Sequence, residues 1–286
     1  MRKARAMAKW KQETGPSPKS GPRPSQAGPK PAARQERRPP PAAQRKHDPD
    51  VSWLYGFHSV QAALNAGARK LIRLYATKEA ALRLKDEIGA RGLETTLLTA
   101  AEIDRLAPRE AVHQGLLLEA RPLPPVTLED LPGKGVVLVL DQISDPHNVG
   151  AILRTAAAFA IDALVVTERH SPEFSGVLAK AASGGLEHVP VAAAGNLSRA
   201  LTELGEMGYL RIGLDSDGTA DLAAIPLSAP LALVLGAEGK GLRRLTRERC
   251  DAVARLDLPG AVKSLNVSNA CAVALSIARS RLPIPG

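Results

Sequence analysis

Polar side chains that could do chemistry follow three separate apolar runs, and the first group lies between residues 141 and 155. Asn148 is a good N-cap for the helix that the pattern predicts over 149–160. Arg154 stands six residues later, ahead of three alanines and a phenylalanine. Because a guanidinium on so apolar a helix needs an anionic partner, and its donors match the oxygens of a phosphate, Arg154 is a candidate phosphate ligand. A structural ion pair is the alternative.

The second group is a glycine-rich turn at 236–241, which follows the apolar run 231–235. Its three glycines allow backbone N–H groups to approach a ligand closely. The turn has neither the Gly-Lys-Ser/Thr ending of a P-loop nor the glycine spacing of a dinucleotide site. Glu238 is its carboxylate, and a solvated loop residue is the simpler interpretation of that side chain.

The third group is Ser264, Asn266 and Ser268, at the start of a last helix predicted over 267–281. Each of these side chains can cap a helix, but a helix has a single N-cap position. Ser264 and Asn266 are therefore candidates for a further role, with a purely structural tie between loop and helix as the alternative.

The elements that must position these groups alternate as in an α/β protein. Strands are predicted from apolar runs at 136–140, 163–167, 187–191, 209–214, 231–235 and 252–256. Helices are predicted between them at 149–160, 172–182, 197–207, 242–248 and 267–281. Continuous apolar strands are typical of a parallel sheet covered by helices on both faces. Such sheets bind ligands beyond the carboxyl ends of their strands, which is where all three groups fall.

A smaller α/β unit precedes this sheet. Its strands are predicted at 71–76, 94–98 and 115–120, and its helices at 58–65, 79–90 and 100–106. A proline-rich segment then predicts an interdomain linker. The chain is therefore divided into a tail at 1–50, a small domain at 51–121, a linker at 122–135 and a larger domain at 136–286.

Charge is distributed very unevenly along the 286 residues, which carry 38 Lys+Arg and 29 Asp+Glu. The whole excess of nine positive charges lies in residues 1–50, together with ten of the 23 prolines. This composition predicts a disordered basic tail with affinity for nucleic acid, and a transit peptide is the alternative. Removing the tail should lower the salt dependence of nucleic-acid binding and leave the fold unchanged.

Apolar content and cysteine usage limit the remaining possibilities. No run approaches the roughly 20 apolar residues of a membrane-spanning helix. We therefore predict that the protein is not associated with a membrane. Cys250 and Cys271 form neither a disulfide framework nor a metal cluster, so we expect no metal and a cytoplasmic location. Both cysteines are predicted to be small buried hydrophobic residues.

The three polar groups resemble, in order and spacing, the three motifs of the SpoU/TrmH family of RNA ribose 2′-O-methyltransferases, in the SPOUT superfamily. Each piece is weak alone, but the combination is specific. The matching residues are Asn148, Gly150, Arg154 and Thr155, then 235–242, then 264–268. The small unit is similar to the family's L30e-like RNA-binding domain, with Tyr55-Gly-Phe-His58 and His113-Gln-Gly115 as the matching phrases. The resemblance covers about residues 53–282.

The resemblance implies a deep trefoil knot in the C-terminal segment, S-adenosyl-L-methionine bound at the knot, and a homodimer. It implies cofactor contacts from Leu235, Gly236, Gly241, Leu256 and Leu265. It places near the transferred methyl the side chains of Asn148, Arg154, Glu238, Ser264 and Asn266. One departure is visible, because Leu256-Asp257-Leu258 stands where the family usually has Ile-Pro-Met.

RNA is the partner that the resemblance implies, with Arg154 at the target nucleotide. A basic run beside the second motif adds Lys240, Arg243, Arg244, Arg247 and Arg249, opposed in sequence only by Glu248. A track for the RNA backbone is expected there, and a solvated helix face is the alternative. Candidate aromatic side chains for base stacking are Tyr55, Phe57 and Tyr75.

The expected reaction is methylation of a guanosine 2′-hydroxyl in 23S rRNA. A tRNA or antibiotic-resistance methyltransferase of the same family is one alternative, and an inactive rRNA-binding assembly factor is another. Family proposals give proton removal to the residue matching Arg154. A guanidinium keeps its proton at neutral pH, so gripping the phosphate beside the target ribose is the physically easier role.

Overall fold

A computed structural model describes residues 50–109, 111–124, 126–174 and 176–282. Apart from Asp50, the predicted basic tail lies outside the described residues. These residues belong to a single compact unit that contains two β-sheets. Within this part of the chain, no helix is both long enough and apolar enough to cross a membrane.

The first sheet has four strands in the order β1-β4-β2-β3, antiparallel except where β2 meets β3. Its elements are β1 (Ser52–Tyr55), α1 (Phe57–Ala66), β2 (Leu71–Ala76), α2 (Lys78–Arg83), α3 (Lys85–Arg91), β3 (Thr95–Leu97), α4 (Ala100–Leu106) and β4 (Leu116–Ala120). The single helix predicted over 79–90 is wrong. Two short helices meet at Leu84, whose fully buried side chain is anchored in the core.

The second sheet has seven strands in the order β7-β6-β5-β10-β8-β11-β9, paired in parallel throughout. Its elements are β5 (Val136–Asp141), α5 (Pro146–Ala158), β6 (Ala163–Thr167), α6 (Gly176–Ala182), β7 (Val191–Ala194), α7 (Leu197–Glu206), β8 (Leu210–Leu214), β9 (Ala220–Asp221), β10 (Leu231–Gly236), α8 (Arg244–Glu248), β11 (Ala252–Arg255) and α9 (Val267–Arg279). The predicted parallel α/β sheet is confirmed.

Both faces of this sheet are covered, which is why its central strands are apolar without alternation. Along β5, Leu138 packs in the cluster that contains α5, α6 and α9, whereas Val139 packs in the cluster that contains α7. Every residue of β5 is buried. The helices thus hold the sheet from two sides and leave its carboxyl edge to the loops.

The strand predicted at 187–191 is wrong in its position. A 3₁₀ turn occupies Gly185–Glu187, and β7 begins only at Val191. Pro190 has no N–H for a β-ladder, and the Glu187 carboxylate is held by a buried ion pair with Arg69 at 2.7 Å.

Helix α5 begins earlier than predicted, and Asn148 is not its N-cap. Asp145 holds that position, with its carboxylate accepting the backbone N–H of His147 at 3.0 Å. Pro146 follows at the start of the helix, where its missing N–H has no intrahelical partner to lose. The Asn148 side chain is therefore free for another role.

Part of the predicted linker, residues 122–135, packs on the large sheet. Val126 forms a β-bridge with Ala192, and Leu131 is buried against the same face as α7. Elsewhere Ser59 Oγ, on α1, donates to the carbonyl of Ala179, on α6, at 2.8 Å. The two sheets therefore share a hydrophobic core, and the division into domains stays a prediction.

Candidate active site

The three predicted polar groups meet because the strands before them end at one edge of the sheet. Strands β5 and β10 are neighbours, with Asp141 paired in register with Gly236. Loops from these strands lead to α5 and α8, and the loop after β11 leads to α9. A parallel sheet places all its carboxyl ends on the same side, so residues far apart in sequence converge there.

Glu238, Asn148 and Asn266 form a closed triangle of hydrogen bonds. Glu238 Oε1 accepts from Asn148 Nδ2 at 3.1 Å and from Asn266 Nδ2 at 2.7 Å. Asn266 Nδ2 also donates to Asn148 Oδ1 at 2.9 Å, and the backbone N–H of Val267 reaches Glu238 Oε1 at 3.3 Å. Glu238 is exposed, as the alternative interpretation expected, but its carboxylate is not free, because it ties all three loops together.

Asn266 explains why three capping residues crowd the start of α9. It is the N-cap, with Oδ1 accepting from the backbone N–H and the hydroxyl of Ser268 at 2.9 and 2.6 Å. Its Nδ2 remains for the triangle. Ser264 is exposed and, within the described chain, its hydroxyl has no hydrogen-bond partner.

A cavity of about 610 Å³ opens beside the triangle, a size typical of small-molecule sites. Its walls include all five predicted cofactor residues, namely Leu235, Gly236, Gly241, Leu256 and Leu265. Glu238, Lys240, Ser264 and Asn266 also line it. Asn148 is the one member of the triangle that does not line this cavity.

The glycines of the turn are required by the close approach of the backbone to itself. A Cβ on Gly236 would lie 2.2 Å from the backbone carbon of Gly241, which no side chain tolerates. Gly241 has a φ of +61°, and its N–H donates to the carbonyl of Ala237 at 2.9 Å. The turn therefore folds tightly over the end of β10 and forms one wall of the cavity.

Asp215, which directly follows β8, lines the cavity and was missed by the sequence interpretation. Its carboxylate accepts the N–H groups of Leu242 and Asp217, each at 3.1 Å, and pairs with Arg247 at 2.7 Å. Burial alone would raise the pKa of Asp215, but these hydrogen bonds and the charge of Arg247 outweigh it and lower the pKa. An aspartate directly after a predicted strand was the available signal.

The departure at Asp257 does not place its carboxylate in the cavity wall. Asp257 is exposed and pairs with Arg255 at 2.7 Å. Its neighbours Leu256 and Leu258 both line the cavity. The Asp257 carboxylate is thus held by Arg255 outside the cavity.

Arg154 lies apart from the triangle on the same helix. It is six residues beyond Asn148, about 9 Å along the axis of α5, and it does not line the cavity. Its side chain is exposed and, among the residues that the structure describes, forms no hydrogen bond or ion pair. The structural ion pair that was the alternative interpretation is therefore not seen.

Sequence comparison identifies the family. The profile of the SpoU rRNA Methylase family matches residues 135–276, and a profile for RNA 2′-O ribose methyltransferase substrate binding matches residues 53–126. The 23S rRNA (guanosine-2′-O-)-methyltransferase RlmB of Pasteurella multocida is 37% identical over 241 residues, which cover 80% of this chain and 98% of that protein. The chain belongs to the SpoU family.

Solved structures agree with this membership. An rRNA methyltransferase from Sinorhizobium meliloti is 25% identical, with a TM-score of 0.68 over 81% of this chain and 87% of that one. An AdoMet-bound rRNA methyltransferase from the same organism shares the fold at 22% identity, with a TM-score of 0.67 over 81% and 87% of the two chains.

The basic run of this SpoU chain is more neutralised than its sequence predicts. Arg243 pairs with the buried carboxylate of Asp141 at 2.6 Å, and Arg247 pairs with Asp215. Arg244 pairs with Glu248 at 2.6 Å on the surface of α8. In the fold, Asp141 and Asp215 therefore oppose the run together with Glu248. An RNA-binding role for Lys240, Arg243 and Arg244 stays a prediction.

Two of the three candidate stacking aromatics are buried. Tyr55 and Tyr75 are each 3% exposed and pack with α4 on the second face of the small sheet. Phe57 is half-buried, with the guanidinium of Arg83 lying 3.9 Å from its ring centre. Base stacking on Tyr55 or Tyr75 is therefore excluded, because the small sheet uses these rings for its own core.

Cys271 is a buried core residue, as predicted, whereas the prediction that Cys250 is buried is confirmed only in part. Cys271 is fully buried in α9, and Cys250 is half-buried with its thiol near the carbonyl of Thr246 at 3.3 Å. Burial raises the pKa of each thiol to about 12. Across the described part of the chain, no cluster of three His, Cys, Asp or Glu side chains could hold a metal ion.

Proposed function

We propose that this chain transfers the methyl group of S-adenosyl-L-methionine to the 2′-hydroxyl of a guanosine in 23S rRNA. The observation that carries the proposal is the triangle of Glu238, Asn148 and Asn266 at the mouth of the 610 Å³ cavity. The name of the Pasteurella multocida relative supports 23S rRNA and guanosine as the target.

The cavity residues fit S-adenosyl-L-methionine. Leu235, Leu256 and Leu258 offer apolar surface for an adenine ring, and the backbone at Gly236 and Gly241 lines the same cavity. At other points of the wall, the carboxylate of Asp217 and the ammonium group of Lys240 suit the charged amino-acid end. When bound, the cofactor supplies a methyl group activated by a sulfonium.

The triangle acts by positioning. Glu238 holds the glycine-rich turn against α5 and α9, and the amides of Asn148 and Asn266 are locked by their bonds to each other. Glu238 Oε2 has no hydrogen-bond partner among the described residues, so it is open to a substrate hydroxyl. Holding an acceptor hydroxyl in line with a methyl donor is the main contribution that such a site can make.

We assign Arg154 to binding the RNA rather than to removing the proton of the 2′-hydroxyl. Its guanidinium is exposed and unpaired in the described part of the chain, which suits bidentate contact with the phosphate beside the target ribose. Lys240, on the cavity wall, offers a second cation for the RNA. A guanidinium is a poor general base, so the hydroxyl proton that is lost as the O–C bond forms goes to the open Glu238 Oε2 or to solvent.

We also propose the finer features that the sequence led us to expect: a deep trefoil knot in the C-terminal segment, an L30e-like fold at 51–121, a homodimer and a cytoplasmic location. The contact of Val267 and Asn266 with Glu238 supports passage of the C-terminal segment beside the turn. Because Arg154 does not line the cavity of its own chain, a second copy could present it there. The free cysteines suit a reducing compartment.

The test is methyl transfer from radiolabelled S-adenosyl-L-methionine to transcripts of 23S rRNA and, in parallel, to tRNA. Digestion to nucleosides should yield labelled 2′-O-methylguanosine from the rRNA and none from tRNA. Label in tRNA alone would support the tRNA alternative. Tight rRNA binding without any label would support an inactive assembly factor.

A further inference from the structure

A second cavity, here called the flanking cavity, opens at the same edge of the large sheet beyond β5, β6 and β7. It has a volume of about 350 Å³ and lies between the first turns of α7 and α8. Its walls include the side chains of Gln142, Arg169, His170, Arg243 and Arg244. None of its lining residues is an aspartate or a glutamate, so the cavity favours an anionic ligand.

Arg169 is the cation of this cavity that is available for a ligand. Its side chain is exposed and, within the described ranges, has no hydrogen-bond or ion-pair partner. Arg243 and Arg244 are instead held by Asp141 and Glu248. His170, exposed beside Arg169, adds a ring that can donate or accept a hydrogen bond.

The loop that presents Arg169 is fixed by its own hydrogen bonds. Thr167 Oγ1 donates to the carbonyl of Arg169, and Ser171 Oγ donates to the carbonyl of Thr167 at 2.6 Å. His170 has a φ of +68°, and Gln142 on the opposite wall has a φ of +60°. Residues with a Cβ rarely adopt this conformation, and it is concentrated at functional sites.

The flanking cavity lies within a few nucleotides' length of the large cavity. Asp141, which holds Arg243 in the flanking cavity, is paired in register with Gly236 of the large cavity. The strands central to the two cavities, β6 and β8, are three places apart in the sheet, or about 14 Å. A stacked strand spans that distance in about four nucleotides.

We propose that the flanking cavity binds a phosphate of the RNA strand a few nucleotides from the methylated ribose, with Arg169 as the ligand. The inference rests on the proposed function, because it names a second contact of the same substrate. A guanidinium facing solvent in an acid-free cavity matches a phosphate diester. Such a contact fixes the register of the strand without reading its sequence.

The experiment compares wild type with Arg169→Ala, Arg169→Lys and a matched control, Arg199→Ala. Arg199 is also an exposed arginine on this side of the sheet, but it pairs with Glu203 and lies outside the flanking cavity. Steady-state methyl transfer to 23S rRNA gives kcat and the KM for RNA. Filter binding of the same RNA over a range of salt gives the slope of log K against log salt. Calorimetry gives the Kd of S-adenosyl-L-methionine.

Arg169→Ala should raise the KM for RNA about tenfold and leave kcat and cofactor affinity within about twofold. The salt slope should fall by about 0.7 to 0.9, the value of one phosphate contact, and Arg169→Lys should restore it. Arg199→Ala should match wild type. An unchanged KM and an unchanged slope in Arg169→Ala would overturn the inference.

Failure of this inference is distinguishable from failure of the proposed function. The salt slope is measured by binding alone, so it tests the flanking cavity whether or not methyl groups are transferred. A wild-type protein that binds RNA but transfers no methyl group would contradict the proposed function, and a reduced slope in Arg169→Ala would still support the phosphate contact.

Discussion

The two halves of the carboxyl edge of the large sheet are built in opposite ways. Beyond β5, β10 and β11, the polar side chains of Asn148, Glu238 and Asn266 bond to one another. Beyond β6, the side chain of Arg169 faces solvent with no partner in the described residues. The first half is pre-organised before any substrate arrives, whereas the second half can complete its bonds only with a ligand. The difference separates residues that build the site from residues that grip the substrate.

The largest effect should come from Arg154, which is unpaired like Arg169 although it belongs to the first motif. Arg154→Ala should lower kcat about a thousandfold, because its guanidinium is expected at the reacting nucleotide. Since Arg154 does not line the cofactor cavity, the Kd of S-adenosyl-L-methionine should stay within about twofold. Kinetics of methyl transfer and calorimetry measure the two quantities.

Arg154→Lys is the control, because it keeps the charge but loses the bidentate geometry, and it should recover only part of kcat. A large loss of cofactor affinity in Arg154→Ala would remove Arg154 from the substrate-gripping class.

Glu238 tests the pre-organised half. Glu238→Ala leaves three N–H donors without their acceptor and releases the glycine-rich turn, so kcat should fall about a hundredfold. Glu238→Gln can still present a carbonyl oxygen to these donors and should lose only about tenfold. Equal and small losses in both variants would show that the triangle is not needed for positioning.

Asp215 should give a smaller effect, on stability and on cofactor binding. Its pKa is lowered in the folded protein, so its contribution to the free energy of unfolding is present above about pH 4 and is lost as the pH falls through the folded value. Asp215→Asn should cost about 2 kcal/mol at pH 7 and weaken cofactor binding about tenfold.

Urea unfolding of both proteins from pH 3 to pH 7 measures this linkage. The gap between wild type and Asp215→Asn should narrow below about pH 4. A gap that is constant with pH would mean that the charge of Asp215 does not hold the turn.

The smallest effect concerns the reactivity of the two cysteine thiols, which pack beneath the loops of both halves. Because burial raises the pKa of Cys250 and Cys271 to about 12, the thiolate fraction at pH 8 is lowered about a thousandfold relative to an ordinary cysteine of pKa 9. Any stability from these protonated thiols is present below pH 9 and is lost as the pH rises toward 12.

Alkylation by iodoacetamide at pH 8, followed by mass spectrometry, should leave both thiols unmodified in the native protein and modify both in guanidinium chloride. Rapid labelling of native Cys271 would contradict its place in the core.

Features set by the local sequence could be predicted, whereas roles that depend on tertiary contacts could not. The parallel sheet was predictable because β5 and β10 are apolar at successive positions. The tight turn at 236–241 was predictable from its three glycines, and the structure shows that its tightest point leaves no room for a side chain. The bonds of Glu238 were not predictable, because they join residues up to 90 positions apart. Arg169 carries no local pattern at all, since its significance depends on a cavity formed by three strand ends.

Two errors have a physical cause of the same kind. Asn148 satisfies the local rules for an N-cap, but Asp145 and Pro146 satisfy them earlier in the chain. Arg243 and Arg247 form a basic run in sequence, yet the fold brings Asp141 and Asp215 to them from other strands. Local propensity predicted the elements, and tertiary contacts decided which side chains remained free.

The central claim is that this edge of the sheet methylates a ribose hydroxyl. Once the target guanosine has been mapped, the most direct measurement is single-turnover methyl transfer to two RNA fragments that differ only in having guanosine or 2′-deoxyguanosine at that position. The account predicts one labelled methyl group on the first fragment and none on the second. Equal labelling of both fragments would place the methyl group elsewhere and contradict the account.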